Sequence, residues 1–271
     1  MTVPLSVCLL ACNEEQAVER CLRAVAAIAD EVVVVVDAKS ADGSEKVARE
    51  HADRVEVRPY AGDIDQKRYC VSLASHEWVL VVDPDEVVPP ELARELRETI
   101  EAAGPEVAGV EIDRLTRHLG RWIRHGDFHP DWTLRAFRRG RARWVGLDPH
   151  GRVEVDGRVE RVGTPLEHHS YRDLADQIER IQHFSEASAD AMDASGRRVR
   201  VWDLVARPPA RFLRAYVLRR GFLDGVPGLV IAVATAFHVF LKYAKLWERQ
   251  RGPSPAAEPA RTSGDGRGSA R

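Results

Sequence analysis

The first 110 residues alternate short apolar runs with segments whose apolar positions recur every three or four residues. Leu5–Ala11 reads as a strand, and Glu15–Ile28 places Val18, Cys21, Leu22, Val25 and Ile28 on one helical face. Glu31–Asp37 is an unbroken valine run between two acids, the pattern of a strand covered on both faces in a parallel sheet. A turn at Ala41–Ser44 follows, then a helix to about Ala52, a strand Arg54–Arg58, a helix Asp65–Ala74, a strand Trp78–Asp83 and a helix Pro90–Ala102. This order predicts a doubly wound, mainly parallel α/β sheet with right-handed crossovers. Ligands of such sheets bind beyond the carboxyl ends of the strands, where Asn13, Asp37 and Asp83-Pro84-Asp85 fall.

Beyond residue 103 the pattern is mixed. A strand is expected at Gly109–Asp113, a hairpin-like stretch at Arg152–Val162 around Asp156-Gly157, and a helix at Leu174–Ala194. Arg197–Lys245 reads as basic, apolar and helical, with breaks at Pro208-Pro209 and around Gly221–Gly228. Within it Leu229–Leu241 is nearly all apolar but only 13 residues long, against the ~20 needed to span a bilayer, which suggests an interfacial or re-entrant helix. A core helix is the alternative. From Gly252 the Gly/Pro/Ser/Ala-rich sequence reads as a disordered tail.

Composition narrows the class. The 271 residues are 44% hydrophobic and 30% charged, as expected of a folded globular protein. The four cysteines, Cys8, Cys12, Cys21 and Cys70, form no CxxC pair, which argues for reduced thiols over disulfides or structural zinc. The start lacks a basic n-region and its apolar stretch is interrupted at Asn13, so a cytosolic protein is expected. Charge is unevenly divided. Residues 1–110 carry 11 basic against 22 acidic groups, and residues 111–271 carry 29 against 20. An acidic half that could hold cations therefore precedes a basic half suited to anions such as phosphates, lipid headgroups or nucleic acid.

The usual dinucleotide fingerprint, the P-loop, the GxSxG elbow and HExxH are all missing, which lowers the dehydrogenase, kinase, hydrolase and zincin readings. What stands out is Trp78–Glu86, an apolar strand ending in two carboxylates one residue apart. Asp83 and Asp85 suit Mg²⁺ or Mn²⁺ with coordination positions open to diphosphate oxygens. An acidic turn capping the next helix is the alternative for the bare tripeptide.

Taken together, Asn13-Glu14-Glu15, Ala29–Asp37, Ser40–Ser44, Gln66-Lys67 and Asp83–Glu86 resemble family 2 glycosyltransferases of the GT-A fold. Gly120–His125, Pro130-Asp131, Leu134–Gly140, Arg220–Gly225 and Phe240–Glu248 resemble the branch containing the lipopolysaccharide core β-1,4-glucosyltransferases. The resemblance covers roughly residues 3–251. It implies transfer with inversion of a sugar, glucose in that branch, from a nucleotide-diphospho-sugar donor such as a UDP-sugar. It also implies Asp37 at the nucleotide base, Asn13 and Glu14 around the nucleoside, Lys67 as a further nucleotide contact and Asp83 near ribose and metal. Asp85 would ligate the metal, and His168 would lie near metal or diphosphate. Asp131, in Pro130–Arg135, would be the general base, with Asp127 the competing carboxylate. Arg135, Arg138 and Arg139 are candidate grips for a diphosphate or acceptor phosphate. The chain departs from the family pattern at Ala11-Cys12, at Arg68 and at His150-Gly151, where Gly151 stands in place of a glutamate.

On this reading residues 1–195 form the catalytic domain, with a nucleotide-sugar half (1–110) and an acceptor half (111–195). Residues 196–251 form a basic, apolar helical region, and 252–271 the tail. Residues 197–251 hold twelve basic groups against three acids, which suits a peripheral position on the anionic cytoplasmic face of the inner membrane and a lipid-linked saccharide acceptor, not nucleic acid. Two other functions compete: a sugar-phosphate nucleotidyltransferase, which expects a Gly-rich basic loop after the first strand that is not there, and a non-catalytic sugar-nucleotide-binding or membrane scaffold protein.

Overall fold

The computed structural model describes residues 2–146 and 151–251. Its first half follows the predicted alternation: β1 (Leu5–Ala11), α1 (Glu15–Val25), β2 (Glu31–Asp37), α2 (Ser44–His51), β3 (Arg54–Arg58), α3 (Asp63–Leu73), β4 (Trp78–Val82), β5 (Glu86–Val87) and α4 (Pro90–Ala102). Next come β6 (Val107–His118), β7 (Arg121–Trp122), β8 (Trp132–Arg138), β9 (Ala142–Val145), β10 (Arg152–Val155), β11 (Arg158–Arg161) and β12 (Leu166–His168). Helices close the chain: α5 (Leu174–Ala194), α6 (Val201–Val205), α7 (Arg207–Leu213) and α8 (Gly225–Arg251), with a π-helical turn at Arg214–Leu218 and a 3₁₀ turn at Gly221–Asp224 before α8.

The main sheet runs β3-β2-β1-β4-β8-β6-β12-β5. Strands β3, β2, β1 and β4 are parallel, and β8 is antiparallel to both β4 and β6. This mixed α/β sheet is GT-A-like. The valine run of β2 explains its central place: Val32, Val34 and Val36 face a core shared with α1, α2 and α4, while Val33 and Val35 face one shared with α3 and the β9–β10 hairpin. From β1 the chain winds to β2 and β3 on one side and later places β4 on the other. The sheet order therefore switches between β1 and β4, whose carboxyl ends carry Asn13 and Asp83.

The structure corrects three expectations. The stretch Arg152–Val162 is not a hairpin: β10 pairs with β9, whereas β11 runs parallel to β6. Gly157 separates them at φ 146°, and a Cβ there would lie 2.7 Å from that of Ala108 and 2.8 Å from the Glu106 carbonyl. Only glycine tolerates that approach in that conformation. Pro208-Pro209 sit in the first turn of α7, where a missing N–H costs nothing, so the break precedes them. Finally, Leu229–Leu241 is the middle of a 27-residue helix that continues through Gly228. Gly228 lets α8 press onto the turn at Gly221, whose carbonyl a Cβ would meet at 1.9 Å. The run Gly221–Arg251 contains an 18-residue window of mean hydropathy 1.7, long and apolar enough to cross a membrane, and only 22% of that window is buried. The expected tail at 252–271 and His150 lie outside the described residues.

Contacts cross the boundary drawn at residue 195. Buried Asp224 accepts hydrogen bonds from the backbone N–H groups of Arg124 (3.1 Å) and His125 (2.8 Å), and Gly126 N–H donates to the Arg219 carbonyl. Asp127, almost fully buried, pairs with Arg211 (2.9 Å) and Arg219 (3.1 Å). The last helices thus hold the Arg124–Asp127 loop in place.

Candidate active site

Two cavities open at the switch between β1 and β4, and both are lined by Cys12 and Glu14. The smaller, about 180 Å³, is bounded by Asp37, Tyr60, Asp63, Gln66 and Asp83. The larger, about 650 Å³, is bounded by Arg20, Asp42, Asp85, His169, Arg172 and Arg180. Of the residues singled out in the sequence, Glu14, Asp37 and Asp83 lie on the smaller cavity, and Asn13, Glu14 and Asp85 on the larger.

The β1 loop is fixed from the β2 side. Asn13, at φ 54°, accepts a bond from Ala41 N–H (2.8 Å), Glu14 N–H donates to Ser44 Oγ (3.0 Å), and Glu15 N–H to Asp42 (2.9 Å). Asparagine tolerates this left-handed conformation better than most residues. The Asn13-Glu14-Glu15 and Ser40–Ser44 motifs are therefore two halves of one laced rim. Burial raises the Glu14 carboxyl above its ordinary range, with Asp85 adding to the effect and Arg180 opposing it. At the floor of the smaller cavity Gln66 is buried, and its Oε1 has no hydrogen-bond partner among the described residues. An unsatisfied buried acceptor beside Asp37 fits a ligand that brings its own N–H donors, as a nucleotide base does.

The two aspartates at the end of β4 occupy different environments. Asp83 pairs with Lys67 Nζ (3.1 Å) and Arg135 Nη2 (2.9 Å). Burial opposes its ionisation, but Arg135 and Lys67 hold the carboxyl well below its usual range. Arg135, itself buried, also pairs with Glu86, which is fully buried and accepts a bond from Asp83 N–H (2.9 Å). Burial, aided by Asp83, pushes Glu86 up against the pull of Arg135 and Arg114. Asp85, by contrast, faces His168: its Oδ2 is 3.5 Å from Nε2, while Nδ1 lies 3.0 Å from the Thr116 hydroxyl. The pairing of β12 with β5 sets His168 opposite Glu86 and brings imidazole and carboxylate together. One carboxylate and one imidazole whose far nitrogen is already engaged suit Mn²⁺ or Mg²⁺ with the remaining positions left to diphosphate and water. Among the described residues no cluster of three or more His, Cys, Asp or Glu side chains forms a closed metal cage.

Asp131 stands at the start of β8. Arg114 donates to its Oδ2 from Nε (2.9 Å) and Nη2 (2.6 Å), and its own N–H bonds Asp113 (2.7 Å). Arg114 also reaches Glu86 at 3.4 Å, so Asp131, Arg114, Glu86, Arg135 and Asp83 form one chain of charges. Glu86, although it closes the Asp83–Glu86 motif, was given no role there, and Arg114, a single charge with no motif spacing, left no sign in the sequence. Arg20, Arg172 and Arg180 on the larger cavity were missed for the same reason. Arg138 and Arg139 are corrected: they lie at the other end of β4, Arg138 pairing with Glu77 (2.7 Å) over the Trp78 ring and Arg139 bonding the Ala74 carbonyl. Neither can reach a diphosphate at Asp85. Arg135 lies beneath Asp83 and serves that carboxylate. Gly151 packs against Ile64 of α3, where a Cβ would clash at 2.3 Å.

A model of the family described as "Glycosyl transferase family 2" matches residues 6–155. The lipopolysaccharide core biosynthesis glycosyltransferase LpsC of Rhizobium meliloti is 28% identical over 254 residues, covering 91% of this chain and 93% of its own. An uncharacterised glycosyltransferase of Rickettsia conorii is 27% identical, covering 92% and 91%. Among solved structures, the mannosyltransferase PcManGT of Pyrobaculum calidifontis, in complex with GDP-Man and Mn²⁺, aligns with a TM-score of 0.51 at 16% identity over 91% of this chain and 87% of its own.

Proposed function

The chain belongs to glycosyl transferase family 2, and from that membership we propose that it moves a hexose, with inversion, from a nucleotide-diphospho-sugar to a lipid-linked saccharide such as lipopolysaccharide core. The contrast between Asp83 and Asp85 carries the reading. Asp83 is neutralised by Lys67 and Arg135, whereas Asp85 faces His168 beside a cavity of about 650 Å³. The nucleoside, uridine by resemblance, enters the smaller cavity against Asp37 and Gln66, with Glu14 at its rim, Asn13 on the adjoining larger cavity, and Lys67 and Asp83 on the ribose side. Asp85 and His168 would hold Mn²⁺ or Mg²⁺, which when bound would supply Lewis-acid stabilisation of the leaving diphosphate. Arg20 and Arg180 place further positive charge beside it.

Asp131 acts as general base. As the acceptor hydroxyl oxygen bonds to the anomeric carbon from the face opposite the diphosphate, its proton passes to the Asp131 carboxylate. The carbon–oxygen bond to phosphate breaks, and its electron pair leaves with the nucleoside diphosphate. The two Arg114 bonds to Oδ2 fix the carboxylate's orientation before the acceptor arrives. Asp127 is unsuited to this role because it is buried in its pairs with Arg211 and Arg219.

The acceptor class is supported by the relative LpsC and by exposed apolar side chains on the last helices, including Trp202, Leu218, Phe222 and Val226. Placed beside twelve basic residues, such a surface suits the cytoplasmic face of an anionic membrane, with residues 1–195 as the catalytic unit and 196–251 as the membrane-facing one.

The test incubates the purified full chain with Mn²⁺, a panel of UDP- and GDP-sugars and truncated lipopolysaccharide, and determines the product's anomeric configuration by NMR. Transfer with inversion supports the proposal. Pyrophosphate released from a nucleoside triphosphate and a sugar phosphate would make the protein a nucleotidyltransferase, and neither activity would make it a scaffold.

A further inference from the structure

A cavity of about 280 Å³ lies between α7 and α8, away from the cleft at β1 and β4, and is lined by Arg207, Arg211, Arg214, Val239, Lys242 and Tyr243. Its charge is not balanced. Arg207 pairs with Asp203 at 2.5 Å, and Arg211 Nε lies 2.9 Å from Asp127 Oδ2 without hydrogen-bond geometry. Among the described residues no carboxylate pairs with Arg214 or Lys242. Arg197 and Arg207 lie over the Tyr243 ring at 5.3 Å each, and the Lys242 ammonium approaches the same ring at 5.5 Å. With Arg219, which also pairs with Asp127, six cations thus face two carboxylates. Burial, reinforced by Arg211, Arg197 and Arg207, pushes the Lys242 ammonium below its ordinary range. A cation half-withdrawn from water among like charges is unfavourable until an anion joins it.

We propose that this cavity is a phosphate-binding site, in which the guanidinium groups of Arg211 and Arg214 and the ammonium of Lys242 grip the phosphate of a membrane lipid headgroup. Guanidinium forks match phosphate oxygens, and a flexible ammonium adds a point charge beside them. The lipid source follows from the surroundings: Leu213 on α7 and Phe240 on α8 are exposed next to the lining residues, giving acyl chains apolar surface beside a charged cavity. The choice of a lipid over a free phosphate rests on the membrane reading above; the anion site itself does not. Because Arg211 also pairs with Asp127, an occupied cavity touches the loop that leads to Asp131.

The test titrates the full chain with short-chain, monomeric phosphatidylglycerol, with inorganic phosphate, and with phosphatidylcholine vesicles with and without phosphatidylglycerol. The Arg214→Gln/Lys242→Gln variant is compared with Arg198→Gln/Arg220→Gln, which removes equal charge from exposed positions of the same region. The proposal expects saturable one-to-one binding of the monomeric lipid, weakened about tenfold or more in the first variant and little changed in the second. Competition by inorganic phosphate at similar affinity would identify the phosphate alone as the ligand; its failure to compete would assign the lipid. Absence of saturable binding by either probe, or equal weakening in both variants, overturns the site. Loss of all vesicle binding by the parent chain with saturable phosphate binding retained would overturn the lipid as the source of the phosphate while leaving the anion site standing.

Discussion

Arg114 grips Asp131 with two nitrogens on one oxygen, Nε at 2.9 Å and Nη2 at 2.6 Å. A base held this way is oriented at the cost of a competing cation. Replacing Asp131 with Asn should lower kcat by ~10²-fold or more, the scale of general-base catalysis, while donor affinity measured by calorimetry stays unchanged. Arg114→Met should lower kcat with the donor KM unaffected. In that background Asp131→Asn should cost less than in the parent, because the two side chains act as a unit. Full additivity would separate them, and an inactive Asp127→Asn beside a normal Asp131→Asn would move the base.

Asp85→Asn should nearly abolish transfer without lowering the melting temperature, since an amide cannot replace a carboxylate against a divalent cation. His168→Ala should raise the Mn²⁺ concentration required for half-maximal activity by ~10-fold to 100-fold. Chelator-insensitive turnover by the parent chain would remove the metal from the reaction.

The amino end of β2 carries a pH-sensitive anchor. Asp30 accepts bonds from Leu5 N–H (2.8 Å) and Arg97 (2.6 Å), and Glu31 from Ser6 Oγ (2.5 Å) and from Ser75 N–H and Oγ (2.7 Å each). Burial opposes ionisation at both, yet Arg97 and Leu5 for Asp30, and Ser6 and Ser75 for Glu31, hold the carboxyls below their ordinary ranges. A depressed carboxylate stabilises the fold fully above its unfolded-state value, about 3.9 for Asp and 4.3 for Glu, and loses that stabilisation as pH falls through the folded value. Urea melts should therefore show stability falling below pH ~4, and Asp30→Asn/Glu31→Gln should flatten that slope. An unchanged slope would assign acid sensitivity to other groups.

A chain ending at Ala194 lacks Arg211, Arg219 and Asp224, the partners of Arg124–Asp127. It should still bind donor through the cavities at β1 and β4, but its transfer activity should collapse and protease should cut near Gly126. It should also fail to co-sediment with anionic liposomes. High salt should weaken binding of the full chain only in part, because apolar insertion does not depend on ionic strength. Equal sedimentation of both chains would make α8 an ordinary packing helix.

What the sequence revealed followed from local pattern. The valine run of β2, the period of α1 and the span of α5 left little choice of element, and Asp83-Pro84-Asp85 declared itself by ending an apolar strand. Pairings between distant short segments left no such trace. Strands β5 and β12 are two and three residues long, below any readable period, yet they set Asp85 beside His168. Arg114 looked like any charge in a strand until the sheet placed β8 next to β6. Pro227 and Gly228 read as breakers because their tolerance in the first turn of α8, and the close approach of Gly221, are properties of the fold.

The three-residue strand β12 also makes the site vulnerable to a bookkeeping error in the gene. Glu167, His168 and His169 follow one another, and neighbours on a strand face opposite ways. Deleting one residue between Val162 and Leu166 would slide His169 into the place of His168, and inserting one would bring Glu167 there. Both frame-preserving changes would leave every motif legible in the sequence, but only the deletion would keep an imidazole facing Asp85, whereas the insertion would set a second carboxylate there.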